Sequence, residues 1–322
     1  MGNSMVIGGT AVYVPEERLT VESLADQGLL SQNEAASLLG RGMASVPCEK
    51  ALPSPDMLDL TLHALLNRFR VDPERVRYVV MPYLYYSFPY TKDVLGSLRR
   101  KYGFRQAVCF SLRDQLCSGY LMGMYAAGKL LEAAEDEAAV VLLTVEKCLL
   151  PGQRYGGGVL ITGDACAASL LGKRLAGDRV LAVRSVTDIR TLQQGKLKNR
   201  ADDVPNYFYF VNLAKVIRRT LADAGLDFGD LKVAIPNNIT QETWRQLAVL
   251  LKISPELFYT EGPSVSGHLN TCDLPVNYAR LALEGKLRPG DYYAMISLGN
   301  GGVIGCAVCQ KGNDPPVLAR RP

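Results

Sequence analysis

DQLCSGYLMGMYAAGKLL, residues 114–131, places Cys117 directly before a run of small and apolar residues. A strand-like segment at 107–112 precedes it, so the pattern predicts a strand, a turn and a helix that begins just after the cysteine. Glycine and alanine allow this helix a buried position with close backbone approach. A thiol there faces the positive end of the helix dipole, which favours the thiolate and activates a nucleophile. An ordinary buried cysteine is the alternative, which we prefer for the other seven of the eight cysteines.

The rest of the chain alternates strand-like and helix-like segments, which predicts an α/β fold. Several strand candidates are continuously apolar, as expected for strands that are buried on both faces. The predicted strands are 76–82, 138–145, 159–164, 231–236, 292–299 and 303–309. The predicted helices are 56–69, 93–102, 118–134, 207–224, 241–251 and 274–284.

The order of these elements repeats along the chain. The strands that end at Pro82 and Pro236 are offset by 154 residues (236 minus 82), and Cys117 aligns with Asn270 at an offset of 153 (270 minus 117). Two separate segments at nearly the same offset indicate an internal duplication. Equivalent loops of the two halves would meet near a pseudo-twofold axis and could share one pocket. The predicted halves are residues 1–165, which carry Cys117, and 166–322.

Composition excludes several classes of protein. The chain has 322 residues, of which 48% are hydrophobic, and its net charge is only +4 with no long basic face, so we expect no nucleic-acid partner. It has no apolar run of membrane-spanning length and no secretory pattern at its start, so we expect a cytoplasmic protein that does not bind membranes. Cys306 and Cys309 lie three apart on a predicted strand and point to opposite faces. We therefore expect free thiols and no metal site.

Five segments in register resemble the β-ketoacyl-acyl-carrier-protein synthase III family of the thiolase superfamily. They are the Cys117 stretch, YSFPYTKDV (86–94), ITGDACAASLL (161–171), HLNTCDLP (268–275) and SLGNGGVIG (297–305). These resemble, in order, the family's active-site segment, its dimer-interface loop, its Gly-Asp-Gly-Ala turn, its Gly-Asn-Thr-Ser loop and its C-terminal Gly-rich turn. The resemblance covers most of the chain. It implies a thiolase-like fold, in which two duplicated α/β halves pack as a five-layered αβαβα sandwich.

The resemblance also implies catalytic residues. The family uses a Cys–His–Asn triad, and Cys117 and Asn270 match two of its members. Asn237 stands where the family has its histidine, in Pro236-Asn237-Asn238. An amide can donate or accept a hydrogen bond and so stabilise an oxyanion, but it cannot carry a proton near neutral pH. His268, two residues before Asn270, could reach the site and replace the missing base. Alternatively, it is a loop residue that only satisfies local hydrogen bonds.

Further roles follow from the same motifs. The backbone N–H groups of Cys117 and Gly301 are the expected oxyanion hole. Tyr86 and Phe88 are expected to line the substrate tunnel, with Phe88 reaching into the partner's tunnel in a homodimer. The family's arginine that docks the carrier protein is replaced by Glu242, and its coenzyme A grip is altered in LGRGMASVP (39–47). These departures argue against a standard fatty-acid initiation enzyme.

The sequence therefore predicts an acyltransferase of a specialised, natural-product-like pathway. An acyl group from coenzyme A or an acyl carrier protein would be held as a thioester on Cys117 and passed to an acceptor. No tightly bound cofactor is expected, because the acyl-CoA or phosphopantetheine-linked acyl group is the substrate. One alternative is a decarboxylative Claisen-condensing ketosynthase that uses Asn237 and Asn270. Another is a non-catalytic partner subunit of a ketosynthase heteromer, which the retained Cys117 argues against.

Overall fold

The computed structural model describes residues 5–155, 159–188, 207–299, 302–313 and 317–320. Their strands are β1 Val6–Tyr13, β2 Arg18–Thr20, β3 Ser45–Pro47, β4 Val76–Pro82, β5 Val108–Leu112, β6 Ala139–Glu146, β7 Ala165–Gly172, β8 Asp178–Thr187, β9 Leu231–Pro236, β10 Tyr292–Gly299, β11 Val303–Gln310 and β12 Val317–Arg320. Their α-helices are α1 Val21–Asp26, α2 Gln32–Gly40, α3 Ser54–Phe69, α4 Val94–Lys101, α5 Gly119–Glu132, α6 Tyr207–Asp223, α7 Gln241–Leu251, α8 Gly262–Ser266 and α9 Asp273–Leu283.

Two half-sheets form the centre of the molecule. The first has the order β5-β4-β6-β7-β1 and the second the order β8-β11-β10-β9. A short antiparallel contact between β1 and β8, at Val6–Ile7 and Asp178–Arg179, joins them, and β12 pairs with β1. The predicted boundary at 165/166 coincides with the first residue of β7. Since β7 pairs with β6 and β1, the strand pairing places the division later, between β7 and β8.

Five layers result from the packing of helices on these half-sheets. The central cluster joins α5 and α9 to the inner faces of both half-sheets and includes Met124 and Tyr278. A second cluster packs α3 on the outer face of the first half-sheet, around Leu62. A third packs α6 and α7 on the outer face of the second, around Ile217 and Leu247. The predicted five-layered α/β fold is confirmed.

Small residues permit the central helix α5 to lie where it does. A Cβ added at Gly123 would lie 2.5 Å from Leu142 of β6, and one at Gly119 would lie 2.9 Å from Thr271. Real Cβ atoms do not approach other atoms so closely, so the glycines fix the depth of this helix. The N-terminus of α5 is thereby brought against the turn that leads into α9.

Most predicted elements agree with the observed ones to within two residues, including β4, β9 and β10. The segment 159–164 differs, because it forms only isolated bridges, Tyr155 with Ile161 and Thr162 with His268. Its polar end is hydrogen-bonded to the loop that precedes α9, through Gly163 and His268, and to the last residue of β3, through Asp164 and Pro47. Cys306 lies in the outer cluster and Cys309 in the central one, as strand alternation predicts. The described residues contain no metal-binding group of three or more ligands and no helix able to cross a membrane.

Candidate active site

Cys117 lies in a 3-10 turn, Leu116–Ser118, immediately before α5. Asp114 and Leu116, which precede Cys117, both have left-handed backbone, with φ of 67° and 48°. A non-glycine residue in this region costs about 1–3 kcal/mol and persists only where the surroundings enforce it. Ser118, directly after Cys117, is fixed by a 2.6 Å hydrogen bond to Ser297 of β10 in the other half. The nucleophile candidate is therefore held by a strained and braced turn.

His268 is in direct contact with Cys117. Its Nε2 lies 3.0 Å from the Cys117 sulfur, and its Nδ1 lies 2.6 Å from Oδ2 of Asp273. The second contact is an ion pair whose geometry is not that of a linear ring N–H hydrogen bond. Both His268 and Asp273 are buried, at 4% and 0% exposure. Cysteine, histidine and carboxylate thus form one continuous chain of contacts.

The backbone around His268 explains why its ring faces the sulfur. Its N–H donates to the carbonyl of Ile161, and its own carbonyl accepts from the N–H of Gly163, both at 2.9 Å. Gly267, the preceding residue, has φ 60°, and a Cβ there would lie 2.4 Å from Val46. Only glycine fits this position without strain. His268 is thus held from both sides, and not only by its own loop.

Electrostatics favour a protonated imidazole. Burial alone would lower the pKa of His268, but the charges of Asp273 and Cys117 and the hydrogen bond to the Cys117 sulfur outweigh this. Together they hold the pKa of His268 well above its ordinary value. An imidazolium 3.0 Å from a sulfur stabilises the thiolate and has a proton to give. The arrangement can activate a thiol and protonate a leaving group.

Asn270 is the third polar side chain at the sulfur. Its Oδ1 lies 3.9 Å from the sulfur of Cys117, and its backbone is left-handed at φ 51°. Its Nδ2 is buried and has no hydrogen-bond partner among the described residues. A buried amide donor without a partner is costly in an apolar interior. Its position beside Cys117 makes it available to an oxygen of a substrate.

Asn237 is engaged elsewhere. Its Nδ2 donates to the carbonyl of Leu298 at 3.1 Å, and its Oδ1 accepts from the N–H of Leu298 at 3.2 Å. The side chain is 1% exposed and joins the end of β9 to β10. Its recorded contacts are therefore those of a brace between strands, and the base contact to Cys117 is made by His268 instead.

Of the expected oxyanion hole, Gly301 lies outside the described residues. The described part contains Gly299, whose added Cβ would lie 3.3 Å from the Cβ of Leu116 and 3.6 Å from the backbone nitrogen of Cys117. A glycine here places no side chain next to the Cys117 amide.

The aromatic segment after β4 differs in part from expectation. Phe88 is only 6% exposed and packs edge-on against Tyr83 and Tyr86. In the single chain it is covered by its own neighbours, and its expected reach into a partner's tunnel stays a prediction. The exposed member of this group is Tyr90, at 92%, which stacks on the 39%-exposed Tyr86 at 5.1 Å. Burial, together with the nearby Cys148, Glu146 and Cys117, raises the pKa of Tyr85.

The two segments that depart from the family's pattern around residues 41 and 242 meet in one cleft. This cleft of about 630 Å³ is lined by Gly40–Gly42 and, at the start of α7, by Thr240–Thr243, Arg245 and Gln246. It brings Arg41 together with Glu242 and Arg245. Glu242 stands where the family has an arginine, and this chain has Arg245 one helical turn later.

Sequence reasoning missed two residues of this site. Asp273 lies five residues after His268 in HLNTCDLP, and its carboxylate also accepts from the backbone of Leu269 and Asn238. Glu146 ends the apolar strand β6 and is fully buried. An acidic residue at the end of such a strand was a usable signal, because carboxylates are rarely buried without a function or a partner.

Comparison with known proteins gives a consistent result. A profile of the C-terminal region of 3-oxoacyl-[acyl-carrier-protein] synthase III matches residues 221–311. The β-ketoacyl-[acyl-carrier-protein] synthase III of Clostridium acetobutylicum is 22% identical over 93% of this chain and 96% of that relative.

Solved structures agree in fold. A protein described as ChlB3, an acyltransferase, superposes with a TM-score of 0.85 at 21% identity, covering 97% of this chain and 99% of that one. The priming β-ketosynthase of the R1128 polyketide biosynthetic pathway superposes with a TM-score of 0.76 at 17% identity, covering 97% of each chain.

Proposed function

Given that the chain belongs to the β-ketoacyl-acyl-carrier-protein synthase III-like family of thiolase-fold transferases, we propose that it is an acyltransferase with its acyl group carried on Cys117. The observation that carries this proposal is the line of contacts from Cys117 through His268 to Asp273. A base in contact with a nucleophile, and a third group that orients the base, is the arrangement that acyl transfer requires.

The two half-reactions follow from this geometry. First, the Cys117 thiolate, paired with protonated His268, attacks the carbonyl carbon of an acyl thioester. The donor's sulfur leaves and takes the proton of His268, so the acyl group is bound to Cys117 and the donor departs as a thiol. In the second step His268 Nε2 takes a proton from the acceptor, which attacks the new thioester. The Cys117 sulfur is then released as a thiolate beside protonated His268.

The oxyanion of each tetrahedral intermediate needs donors. Two donors are candidates: the backbone N–H of Cys117, next to Gly299, and the unpartnered Nδ2 of Asn270. Each such donor typically contributes about 10²–10³ in rate. Asn237 has no part in this scheme, because both polar atoms of its side chain are bonded to Leu298.

The donor is an acyl-CoA or an acyl carrier protein, whose pantetheine arms end in the same thiol. The cleft with Arg41 and Arg245 offers two cations for a phosphate of either donor. Glu242 in the same cleft disfavours the acidic surface of a conventional carrier protein. The similarity to ChlB3 and to the R1128 priming ketosynthase supports a pathway of the natural-product type.

A decarboxylative condensing enzyme is the second candidate, and one observation favours it. The free Nδ2 of Asn270 could hold the enolate oxygen that forms when a malonyl thioester loses carbon dioxide. The described part of the site offers His268 as a second donor, but His268 already contacts the sulfur. We therefore place acyl transfer first.

Intact-mass spectrometry tests the proposal directly. The protein is incubated with a panel of acyl-CoA and acyl-carrier-protein thioesters, and the mass of one acyl group is expected to appear on it. Cys117→Ala should abolish this adduct. Cys272→Ala is the matched control, because Cys272 is buried against Thr144 and should leave the adduct unchanged. An adduct that persists in Cys117→Ala would refute the proposal.

A further inference from the structure

Glu146 is the most unusual buried group near the candidate site. It ends β6, has 0% exposure and lies in the interior between the two halves. Its Oε1 accepts from the hydroxyl of Thr271 at 2.6 Å and from the N–H of Leu84 at 2.9 Å. Its Oε2 is also buried and has no hydrogen-bond partner among the described residues. Burying a carboxyl group with an unpaired oxygen costs free energy, so its presence at this position needs an explanation.

The contacts of this carboxyl group join two parts of the site. Thr271 follows Asn270, the left-handed residue beside the Cys117 sulfur. Leu84 lies between Tyr83 and Tyr85 in the aromatic segment after β4. One oxygen therefore fastens the Asn270 turn to this segment.

The internal duplication shows that this fastening is specific to one half. At the offset that aligns Cys117 with Asn270, 153 residues, Glu146 aligns with Gly299 (299 minus 146) and Ser118 with Thr271 (271 minus 118). Ser118 bonds to Ser297, which aligns with Thr144 (297 minus 153), whereas Thr271 bonds to Glu146. Both turns are thus braced by the opposite half, but only the Asn270 turn is fastened by a carboxyl group.

The two halves differ in what stands at the end of the central strand. Gly299 places no side chain beside the backbone nitrogen of Cys117, whereas the Glu146 side chain occupies the equivalent position beside the Asn270 turn. The Cys117 turn therefore has no side chain from this strand end, and the Asn270 turn is fastened by one.

We propose that Glu146 is a positioning residue for acyl transfer, which fixes Asn270, through Thr271, at the distance from Cys117 where its amide can bind the acyl oxygen. This inference rests on the proposed acyl transfer and adds a residue to it. Asn270 is held in a backbone conformation that is costly for a non-glycine residue, so it needs a support outside its own turn. Burial raises the pKa of Glu146 to about 7, which agrees with a carboxyl group kept as a fixed hydrogen-bonding unit.

Variants of Thr271 test the inference without a cavity in the core. Thr271→Val keeps the shape of the side chain and removes the hydroxyl that binds Glu146, whereas Thr271→Ser keeps that hydroxyl. We expect Thr271→Val to lower kcat for acyl transfer about 10²-fold, the effect of a small misplacement of a reacting group. KM should change little, because the donor cleft lies elsewhere. Thr271→Ser should restore most of kcat.

A second variant and a second measurement distinguish a misplaced Asn270 from a general disruption of the site. Glu146→Leu should lower kcat by a similar factor, and the double variant with Thr271→Val should be no worse than either single one, because both remove the same contact. The rate at which iodoacetamide alkylates Cys117 should stay near that of the wild type, since it depends on His268 and not on Asn270.

The outcomes are distinct. Equal loss of alkylation and acyl transfer in Thr271→Val, or additive losses in the double variant, would overturn the positioning role and leave the proposed function standing. A kcat in Thr271→Val equal to that of the wild type would do the same. A wild type that takes no acyl group from any thioester would overturn both proposals.

Discussion

Replacement of Asp273 by asparagine removes one charge from the line Cys117–His268–Asp273 and keeps the size of the side chain. The carboxylate lies 2.6 Å from Nδ1 of His268 and is fully buried. It also accepts from the backbone N–H of Leu269 at 2.6 Å and of Asn238 at 2.8 Å. The asparagine amide can accept only one of these two bonds, so some loss of stability accompanies the loss of charge.

The size of the effect follows from the ion pair. The charges of a carboxylate and an imidazolium in this contact are centred about 4 Å apart, where they attract by about 4 kcal/mol at an effective dielectric constant of 20. The pKa of His268 should therefore fall, and with it the stabilisation that a protonated ring gives to negative charge on the Cys117 sulfur. We expect alkylation of Cys117 at pH 7 to slow by about 10²–10³-fold.

The assay is the rate of iodoacetamide alkylation of Cys117 as a function of pH, followed by intact mass. Asp178→Asn is the matched control, because Asp178 is also fully buried and accepts from Tyr278 and Tyr293. It should lower the melting temperature without slowing alkylation. A folded Asp273→Asn protein that reacts as fast as the wild type, with an unchanged pH profile, would refute the assignment of His268 and Asp273.

Three further predictions concern the reaction, the assembly and the buried carboxyl group. Carbon dioxide release from malonyl thioesters should be at least about 10²-fold slower than acyl transfer, because Asn237 supplies no proton-carrying donor; rapid release that survives His268→Ala would favour the condensing enzyme. The chain should sediment as a homodimer at micromolar concentration, since β5 is an edge strand on which Val108 is 58% exposed; a stable monomer would contradict this. Glu146 has a folded pKa of about 7 against an ordinary 4.5, so its stabilising contribution is present at low pH and is lost as the pH rises through this interval. The free energy of unfolding of the wild type should then fall by up to about 3 kcal/mol more than that of Glu146→Gln between pH 4 and pH 8, and parallel profiles in urea titrations would contradict this.

Local patterns in the sequence predicted the limits of most strands and helices. The apolar runs at 76–82 and 292–299 have the observed limits of β4 and β10, because a strand buried on both faces must be apolar along its whole length. The small residues after Cys117 predicted a central helix, and α5 is one. The repeat offset predicted that the turns at Cys117 and Asn270 lie together, and their atoms are 3.9 Å apart.

The local pattern left two interpretations of His268 open, a replacement base at the site or a loop residue that only satisfies local hydrogen bonds. His268 could point towards or away from Cys117, and the outcome is decided by contacts with Ile161 and Gly163, more than 100 residues earlier in the chain. The same holds for Asn237, whose position matches the family's histidine but whose amide is bonded to Leu298. A side chain's hydrogen-bond partners depend on which backbone groups tertiary packing leaves free beside it.

The sequence by itself thus determined the α/β class, the duplication and the place of Cys117 before the central helix, because periodicity and residue size act over a few neighbouring residues. Only the tertiary structure decided that Asp273 supports His268, that Phe88 is covered by its own chain and that Glu146 joins Thr271 to Leu84. Those contacts link residues whose distances are set by the packing of five layers. A loop residue's direction in space is fixed by that packing and leaves no trace in the residues next to it.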